Sequence, residues 1–462
     1  MKTFAINTLG CKVNQYESQQ IRELLENSGL FQSRPTGSSP DLIVINTCCV
    51  THNASAKSRQ YIRKAQKQHP NASIVVTGCL PAAETGELKA FNKNIYLIRQ
   101  RNKLKDVLYK LLTSCSVYQS AAEFQPQISS EYIKAENTSK IKHKNNLFDL
   151  EPLSLFKGQT RAFLKIQDGC DGYCSYCIIP KTRPNVHSKQ PDAVFEEAKA
   201  LVVGGHKEIV VTGVFLGAYG HSTVRRNRWA GGKNDKLAEL LDKLSGVPGL
   251  SRIRLSSLAP GDVSDRLIET IANNPNIMPH LHLSLQSGSD RILKKMCRQY
   301  TIEEFLKTAA KIKSRLERPA ITTDIIVGFP GESEDDFQKT LEVVQKVRFS
   351  RIHVFSFSAR KGTAAARMPA FVNKEVIKER SVILREKGAK LAREFREQFV
   401  GREVNVLLEH SDGQACGRSE RYFQVSISND EGRFKRNDLV RVKITENGDN
   451  EAVGEDLELI EP

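Results

Sequence analysis

Residues 169–177 read Gly-Cys-Asp-Gly-Tyr-Cys-Ser-Tyr-Cys, which sets Cys170, Cys174 and Cys177 in a C-x3-C-x2-C loop. Three thiolates at this spacing can wrap three corners of an iron–sulfur cubane, a cluster that usually takes four protein thiolates. The iron left open can chelate the amino and carboxylate groups of S-adenosylmethionine (SAM). An electron delivered there cleaves the sulfonium to a 5′-deoxyadenosyl radical, which takes hydrogen from unactivated carbon. Tyr176, just before the last cysteine, is placed to pack over cluster and SAM. A structural zinc site would need four tight ligands, and no partnered C-x2-C pair or nearby His completes one.

A second set is dispersed. Cys11, Cys48 and Cys79 each follow a short apolar run, at 4–7, 42–45 and 74–76, that reads as a strand. Helical spacing of Ile21, Leu24 and Leu25 between the first two runs implies strands alternating with helices, hence a parallel sheet. Ligands of such sheets gather beyond the carboxyl ends of the strands, where all three cysteines fall. Three soft ligands on one edge suit a second iron–sulfur cluster, again with an open iron. The alternative is three unrelated cysteines buried as small hydrophobes. Cys49 is expected to point away from the set if the strand continues. Cys115, Cys297 and Cys416 lack such spacing and are expected to be structural, and His280 and His282 to be core or supporting histidines.

The elements that must position these residues divide the chain of 462 residues into an N-terminal parallel α/β sheet domain (1–115), a polar linker (116–156), a central region (157–395) and a C-terminal all-β module (396–462). The central region repeats strand and helix six times, with strands at 162–166, 208–211, 252–255, 280–285, 323–327 and 352–357. That pattern predicts a partial (β/α)6 barrel whose chemistry sits at the carboxyl ends of its strands. Ser333 and Asp336 carry the spacing of a capping box and predict a helix start between them. The fold class is therefore α/β multidomain.

Lys and Arg number 69 against 53 Asp and Glu, a net charge of +16 that points to a polyanionic partner, nucleic acid first. In the C-terminal module Arg433, Lys435 and Arg436 stand beside Tyr422, Phe423 and Phe434, a pattern suited to phosphate contact and base stacking, the alternative being core aromatics with a solvated basic face. No apolar run is long enough to span a membrane, and no apolar leader block follows Met1, so a cytoplasmic location with reduced cysteines is expected.

With these residues in place, the sequence resembles the methylthiotransferase family of radical SAM enzymes along nearly its whole length. The resemblance is carried by residues 8–18 (Thr-Leu-Gly-Cys-Lys-Val-Asn-Gln-Tyr-Glu-Ser), by Asn46-Thr47-Cys48 and Thr77-Gly78-Cys79, and by residues 254–257, 283–288 and 324–332 of the central region. The C-terminal module resembles a TRAM domain, an RNA-binding appendage. The resemblance implies two 4Fe–4S clusters, held by Cys170, Cys174 and Cys177 and by Cys11, Cys48 and Cys79. It also implies SAM in two roles, methyl donor to a sulfur and source of the radical. Thr212, Gly213, Ser284, Gln286, Val327 and Gly328 are then expected around SAM, and a flavodoxin or ferredoxin as reductant.

Residues 9–18, 166–169 and 177–180 look like the branch that modifies C2 of N6-threonylcarbamoyladenosine at position 37 in the tRNA anticodon loop. The phrases typical of the isopentenyladenosine branch and of the branch acting on a ribosomal-protein aspartate are missing from the first-cysteine segment. A non-catalytic iron–sulfur RNA-binding protein is the reading from another class, and an open iron argues against it.

Three departures stand out. Pro184 follows Lys-Thr-Arg where the family usually has Arg-Gly after the loop proline, Phe215 replaces a common Asn, and residues 221–236 are longer than usual. In that extension Trp229 is expected to stack on an anticodon-loop base while Arg225, Arg226 and Arg228 bind phosphate. The alternative is an irregular surface loop.

Overall fold

The computed structural model describes residues 1–33, 39–83, 94–113, 150–229, 235–411, 413–428 and 432–460. Two compact units result, residues 1–49 with 53–152 and residues 50–52 with 153–462. Most of the expected linker, through residue 149, lies outside the described residues, as does Cys115.

The first unit runs β1 (Thr3–Thr8), α1 (Lys12–Asn27), β2 (Phe31–Gln32), β3 (Leu42–Thr47), α2 (His52–Gln68), β4 (Ser73–Gly78), α3 (Cys79–Ala83), β5 (Ile95–Leu97) and α4 (Leu104–Thr113). Its strands pair in parallel in the order β2-β1-β3-β4-β5. The Leu-Ile-Val-Ile run of β3 is buried along its whole length, as expected of a central strand covered on both faces. Phe4, Leu42 and Val44 form one core with Ile21, Leu24 and Leu25 of α1 and Leu104, Leu108 and Leu111 of α4. Because β1, β3 and β4 are neighbours, their carboxyl ends share one stretch of edge.

The second unit holds β6 (Arg161–Asp168), α5 (Ile179–Thr182), β7 (His187–Ser188), α6 (Pro191–Val203), β8 (Glu208–Gly213), α7 (Lys236–Ser245), β9 (Arg252–Leu255), α8 (Asp265–Asn273), β10 (His280–His282), α9 (Asp290–Lys295), α10 (Ile302–Arg315), β11 (Ala320–Val327), α11 (Glu334–Val347), β12 (Arg351–Ser356) and α12 (Lys374–Glu397). Two parallel sheets, β6-β8-β9 and β10-β11-β12, are joined by bridges Ile253–Ile277 and Leu258–Leu283, so six strands run around a partial barrel in chain order. Short β7 pairs antiparallel on the β6 edge. The Ser333–Asp336 capping box forms and starts α11. β10 stops at His282 rather than 285, because Leu285 N bonds to the Thr323 hydroxyl and Gln286 adopts φ +65°.

Register puts Arg161, Glu208 and Arg252 in one row of the barrel and Phe163, Val210 and Arg254 in the next. Across the other strands His282 lies beside Thr322, and Asp324 beside His353. The alternating Leu164, Val211, Ile253, Leu281, Ile321 and Ile325 are buried on the opposite face. The interior is thus largely polar, where a closed (β/α)8 barrel would be filled with branched apolar side chains.

A closed five-stranded barrel follows, with β13 (Glu403–His410), β14 (Cys416–Ser419), β15 (Gln424–Ile427), β16 (Leu439–Asn447) and β17 (Ala452–Leu459) in the order β13-β14-β15-β17-β16. It joins the amino-terminal ends of the partial-barrel strands through buried charge. Glu208 accepts from Arg254 Nε at 2.9 Å and lies 3.5 Å from Arg252 Nη1. Both arginines also donate to this barrel's backbone, Arg252 to the carbonyls of Asn405 and Arg418, Arg254 to that of Glu420. The Tyr422 hydroxyl accepts from Arg161 at 2.8 Å, and its ring rests 4.9 Å from His280. Among the described residues no helix is long and apolar enough to cross a membrane.

Candidate metal centres

In the first unit, Cys11 caps the amino end of α1, Cys48 follows β3 and Cys79 opens α3 directly after β4. Asn14 ties the exits of β1 and β3 together. Its Nδ2 donates to the carbonyls of Leu9 and Thr47, each at 2.9 Å, its Oδ1 lies 3.8 Å from Cys11 Sγ, and its own carbonyl accepts from Asn46 Nδ2. The Thr47 hydroxyl bridges onward, donating to Thr77 O and accepting from Leu80 N. Gly78 sits at φ +92°, and a Cβ there would fall 2.3 Å from Thr47 O, so only glycine brings Cys79 this close to the β3 exit.

Cys48 and Cys79 are buried while Cys11 is exposed. Arg101 Nη2 lies 3.7 Å from Cys79 Sγ and its Nε 3.9 Å from Glu17, which sets a cation beside a thiol. Cys49 turns its thiol to Cys79 O at 3.4 Å. Three soft donors on one edge, with a cation at hand, fit a cluster that takes three cysteines.

In the second unit the loop 169–178 leaves the carboxyl end of β6. Asp168 accepts from Lys165, from Arg183 Nη1 at 2.7 Å and from Gly169 N, and Cys170 N donates to Arg183 O. Gly169, at φ +80°, passes so close to Asn185 that a Cβ would overlap its carbonyl at 1.7 Å. Burial pushes the Cys170 thiol up to about 11 and the Cys177 thiol up to about 12. Such thiols ionise for a partner that brings positive charge, which is what cluster irons supply. Arg298 Nη1 lies 3.2 Å from Cys174 Sγ and places a cation beside the loop. Arg298 Nε also reaches the Tyr300 hydroxyl, which donates to the carbonyls of Ser284 and Leu285 at 2.6 and 2.8 Å. The cysteine loop is thereby wired to the segment expected around SAM.

The other residues expected around SAM stand at the same carboxyl edge. Thr212 and Gly213 end β8, and Gly213 packs against Gln167, whose Oε1 accepts from Phe215 N. Phe215 therefore contributes its backbone here and its ring to an apolar cluster. Val327 ends β11, and Gly328 N donates to the buried Glu332 carboxylate at 2.7 Å.

The extension after β8 departs from expectation. Trp229 is 6% exposed, stacks on His221 at 4.4 Å and donates Nε1–H to Thr223 O. It packs with Ala218 and Val224, against Cys170 and Phe215, so no face of its ring is offered to a base. Arg225 lies over the Tyr173 ring at 3.9 Å and donates to Asp171 O, while Arg226 pairs with Asp262 at 2.9 Å. Asp171 also accepts from Thr223 Oγ1 and Val224 N. Residues 221–229 thus strap the cysteine loop, and of the extension's arginines only Arg228 is exposed.

In the C-terminal basic cluster Arg433, Lys435 and Arg436 are all exposed, Arg436 while donating to Thr160 Oγ1 and Gly158 O and Arg433 while paired with Asp456. Phe423 and Phe434 belong to the module's core. Sequence reasoning missed Asn14, Arg101, Arg298 and Tyr300 as supports, because each also has a partner well separated in the chain (Thr47, Cys79, Cys174 and Ser284) that spacing does not signal.

Residues 164–344 match the model of the Radical SAM superfamily, and residues 3–100 that of Uncharacterized protein family UPF0004. Threonylcarbamoyladenosine tRNA methylthiotransferase MtaB of Thermotoga maritima is 38% identical over 448 residues, covering 96% of this chain and 95% of that one. The protein of the same name from Bacillus subtilis is 35% identical, with 97% and 95% covered. The chain belongs to the methylthiotransferase family of radical SAM enzymes. This family membership makes it a transferase that works with SAM and 4Fe–4S clusters. A tRNA-2-methylthio-N(6)-dimethylallyladenosine synthase of Thermobifida fusca is also similar, at 33% over 96% of this chain and 87% of its own length. Among solved structures, the radical SAM methyltransferase TsrM of Kitasatospora setae shares the fold, with TM-score 0.51 at 13% identity over 77% of this chain and 75% of that one.

Proposed function

We propose that this chain adds a methylthio group to C2 of N6-threonylcarbamoyladenosine at position 37 in the anticodon loop of tRNA, in the cytoplasm. The observation that supports the reading is that Cys11, Cys48 and Cys79 each follow one of three adjacent strands, a second set of soft donors beyond the Cys170 loop. A generator of radicals alone has no use for it, whereas an enzyme that also delivers sulfur does. When bound, the two clusters and SAM supply the radical and the sulfur.

The chain's own residues hold and aim these groups. Cys170, Cys174 and Cys177 hold one cluster and Cys11, Cys48 and Cys79 the other. Arg298 sets positive charge against Cys174, and Tyr300 fixes the Ser284–Leu285 carbonyls. Tyr176, Thr212, Gly213, Ser284, Gln286, Val327 and Gly328 surround SAM. Exposed Arg228, Arg433, Lys435 and Arg436, within a net charge of +16, are the basic contacts for RNA. A flavodoxin or ferredoxin is the reductant.

The names of the relatives divide between a polar and a hydrocarbon substituent on the adenine. The polar interior of the partial barrel favours the polar one, since a pocket built to hydrogen-bond discriminates strongly against a ligand that cannot. Nucleoside mass spectrometry of tRNA from a strain lacking this gene tests the reading. Loss of 2-methylthio-N6-threonylcarbamoyladenosine, with the unmethylthiolated nucleoside accumulating, is expected, and unchanged levels overturn it.

A further inference from the structure

Inside the partial barrel, three side chains from consecutive strands converge: His282 of β10, Asp324 of β11 and His353 of β12. Their nitrogen and oxygen atoms lie within 4.8 Å of one another. His282 Nε2 is 3.3 Å from Asp324 Oδ2, and the two imidazoles face each other at 5.9 Å. The His282 ring is oriented from behind, with Nδ1 2.9 Å from the Thr322 hydroxyl. All three residues are only part-buried, with His282 Nε2 itself covered, so Asp324 and His353 are the reachable members. Two residues below on β10, His280 is covered by the Tyr422 ring, which floors the space.

We propose that His353, Asp324 and His282 form the pocket that reads the threonylcarbamoyl group of the substrate. The proposal rests on the substrate reading above and names its selectivity determinant. That group carries two ureido N–H donors, a carboxylate and a hydroxyl. A carboxylate such as Asp324 accepts from N–H groups, and the His353 imidazole N–H donates to a carboxylate, while His282, held by Thr322, braces Asp324, so the cluster complements both ends of the substituent. A dimethylallyl nucleoside keeps only the N6–H and offers no carboxylate or hydroxyl, so the His353 imidazole would face hydrocarbon at the desolvation cost of an unpaired polar group. His353 is the sharpest lever of the three. Phenylalanine copies the ring's shape but removes its hydrogen bonding, and so converts this side of the pocket to one suited to hydrocarbon.

The test uses full-length enzyme with both clusters loaded and anticodon stem-loop RNAs bearing adenosine, threonylcarbamoyladenosine or dimethylallyladenosine at the target position. Binding is read by fluorescence anisotropy and product by mass spectrometry. Wild type is expected to prefer the threonylcarbamoyl RNA over the unmodified RNA by at least about tenfold, the worth of one charge-assisted hydrogen bond. His353→Phe should cut that preference to within about threefold by weakening the threonylcarbamoyl complex. His353→Gln, which keeps a donor, should restore part of it, and equal iron content and far-ultraviolet circular dichroism establish that the variants fold. Full preference retained by both His353→Phe and Asp324→Asn overturns the pocket while leaving the substrate reading standing. A wild type that neither prefers nor methylthiolates the threonylcarbamoyl RNA overturns both. Two imidazoles and a carboxylate are also a transition-metal donor set. One divalent ion per chain beyond the cluster iron, lost in Asp324→Asn, would overturn the pocket in favour of a metal site.

Discussion

The two cysteine triads reach similar donor sets by opposite routes. Cys170, Cys174 and Cys177 come from one loop, held by charged side chains: Asp168 with Arg183 and Lys165, Asp171 with Arg225, and Cys174 with Arg298. Cys11, Cys48 and Cys79 come from three strand exits, held mainly by neutral amides and hydroxyls of Asn14, Asn46 and Thr47. A single loop spans few residues and so spends little chain entropy on closure, but its buried thiols need charge nearby. Three exits of one sheet are prepositioned by backbone pairing, and need only short neutral stitches.

The largest effects should come from breaking each triad in turn. Cys174→Ser is expected to abolish 5′-deoxyadenosine formation while leaving about half the iron, that of the second cluster. Cys48→Ser should keep 5′-deoxyadenosine formation and lose methylthio transfer. Chromatography of the nucleosides and iron analysis separate the two, and methylthio transfer by Cys48→Ser would remove the division of labour.

Next come the glycines that permit each approach. Gly78→Ala and Gly169→Ala each force a Cβ into a carbonyl from a left-handed backbone, and each should lose roughly 3 kcal/mol or more of stability. The first should deplete only the second-cluster iron and the other only the SAM-cluster iron. Equal loss of both clusters from either variant would contradict the independence of the two sites.

The charged wiring of the second unit predicts sensitivity to acid. Burial alone would raise Glu208, but Arg254, Arg252 and Arg161 outweigh it and hold the carboxyl at about 2, against an ordinary 4.5. A carboxyl depressed in the folded state stabilises fully above its unfolded pKa. That contribution, on the order of 3 kcal/mol, is lost as pH falls from about 4.5 towards 2. Urea unfolding across this window should show it in wild type and not in Glu208→Gln, which has already lost it at neutral pH. The smallest effects test the stitches. Asn14→Ala leaves two carbonyls unpaired and should lower second-cluster stability by roughly 2 kcal/mol. Arg225→Ala removes a partly exposed ion pair and ring contact worth about 1 kcal/mol. Trp229, the only tryptophan, reports that loosening by its fluorescence.

Much of the fold was legible because it is written in short periods. The apolar runs at 42–45 and 74–76 announce β3 and β4, and the Ser333–Asp336 spacing announces α11. The errors share a physical cause. Trp229 and the arginines beside it have the composition of an RNA contact, and equally that of a packed strap. Only Asp171, some 50 residues upstream, makes the difference, by accepting hydrogen bonds from Thr223 and Val224. Arg436 likewise has partners that spacing does not reveal, Thr160 and Gly158, 276 and 278 residues distant.

The sequence by itself determined the donor atoms, through cysteine spacing in one loop and cysteine position after three strands. It also determined the α/β and all-β order of the elements, because periodicity and turn chemistry are local. Tertiary structure alone decided which charges face those donors, which aromatic rings are spent on packing, and that His282, Asp324 and His353 meet inside the barrel. These are contacts between residues far apart in the chain, and their energies depend on distance and burial, which spacing along the sequence does not encode.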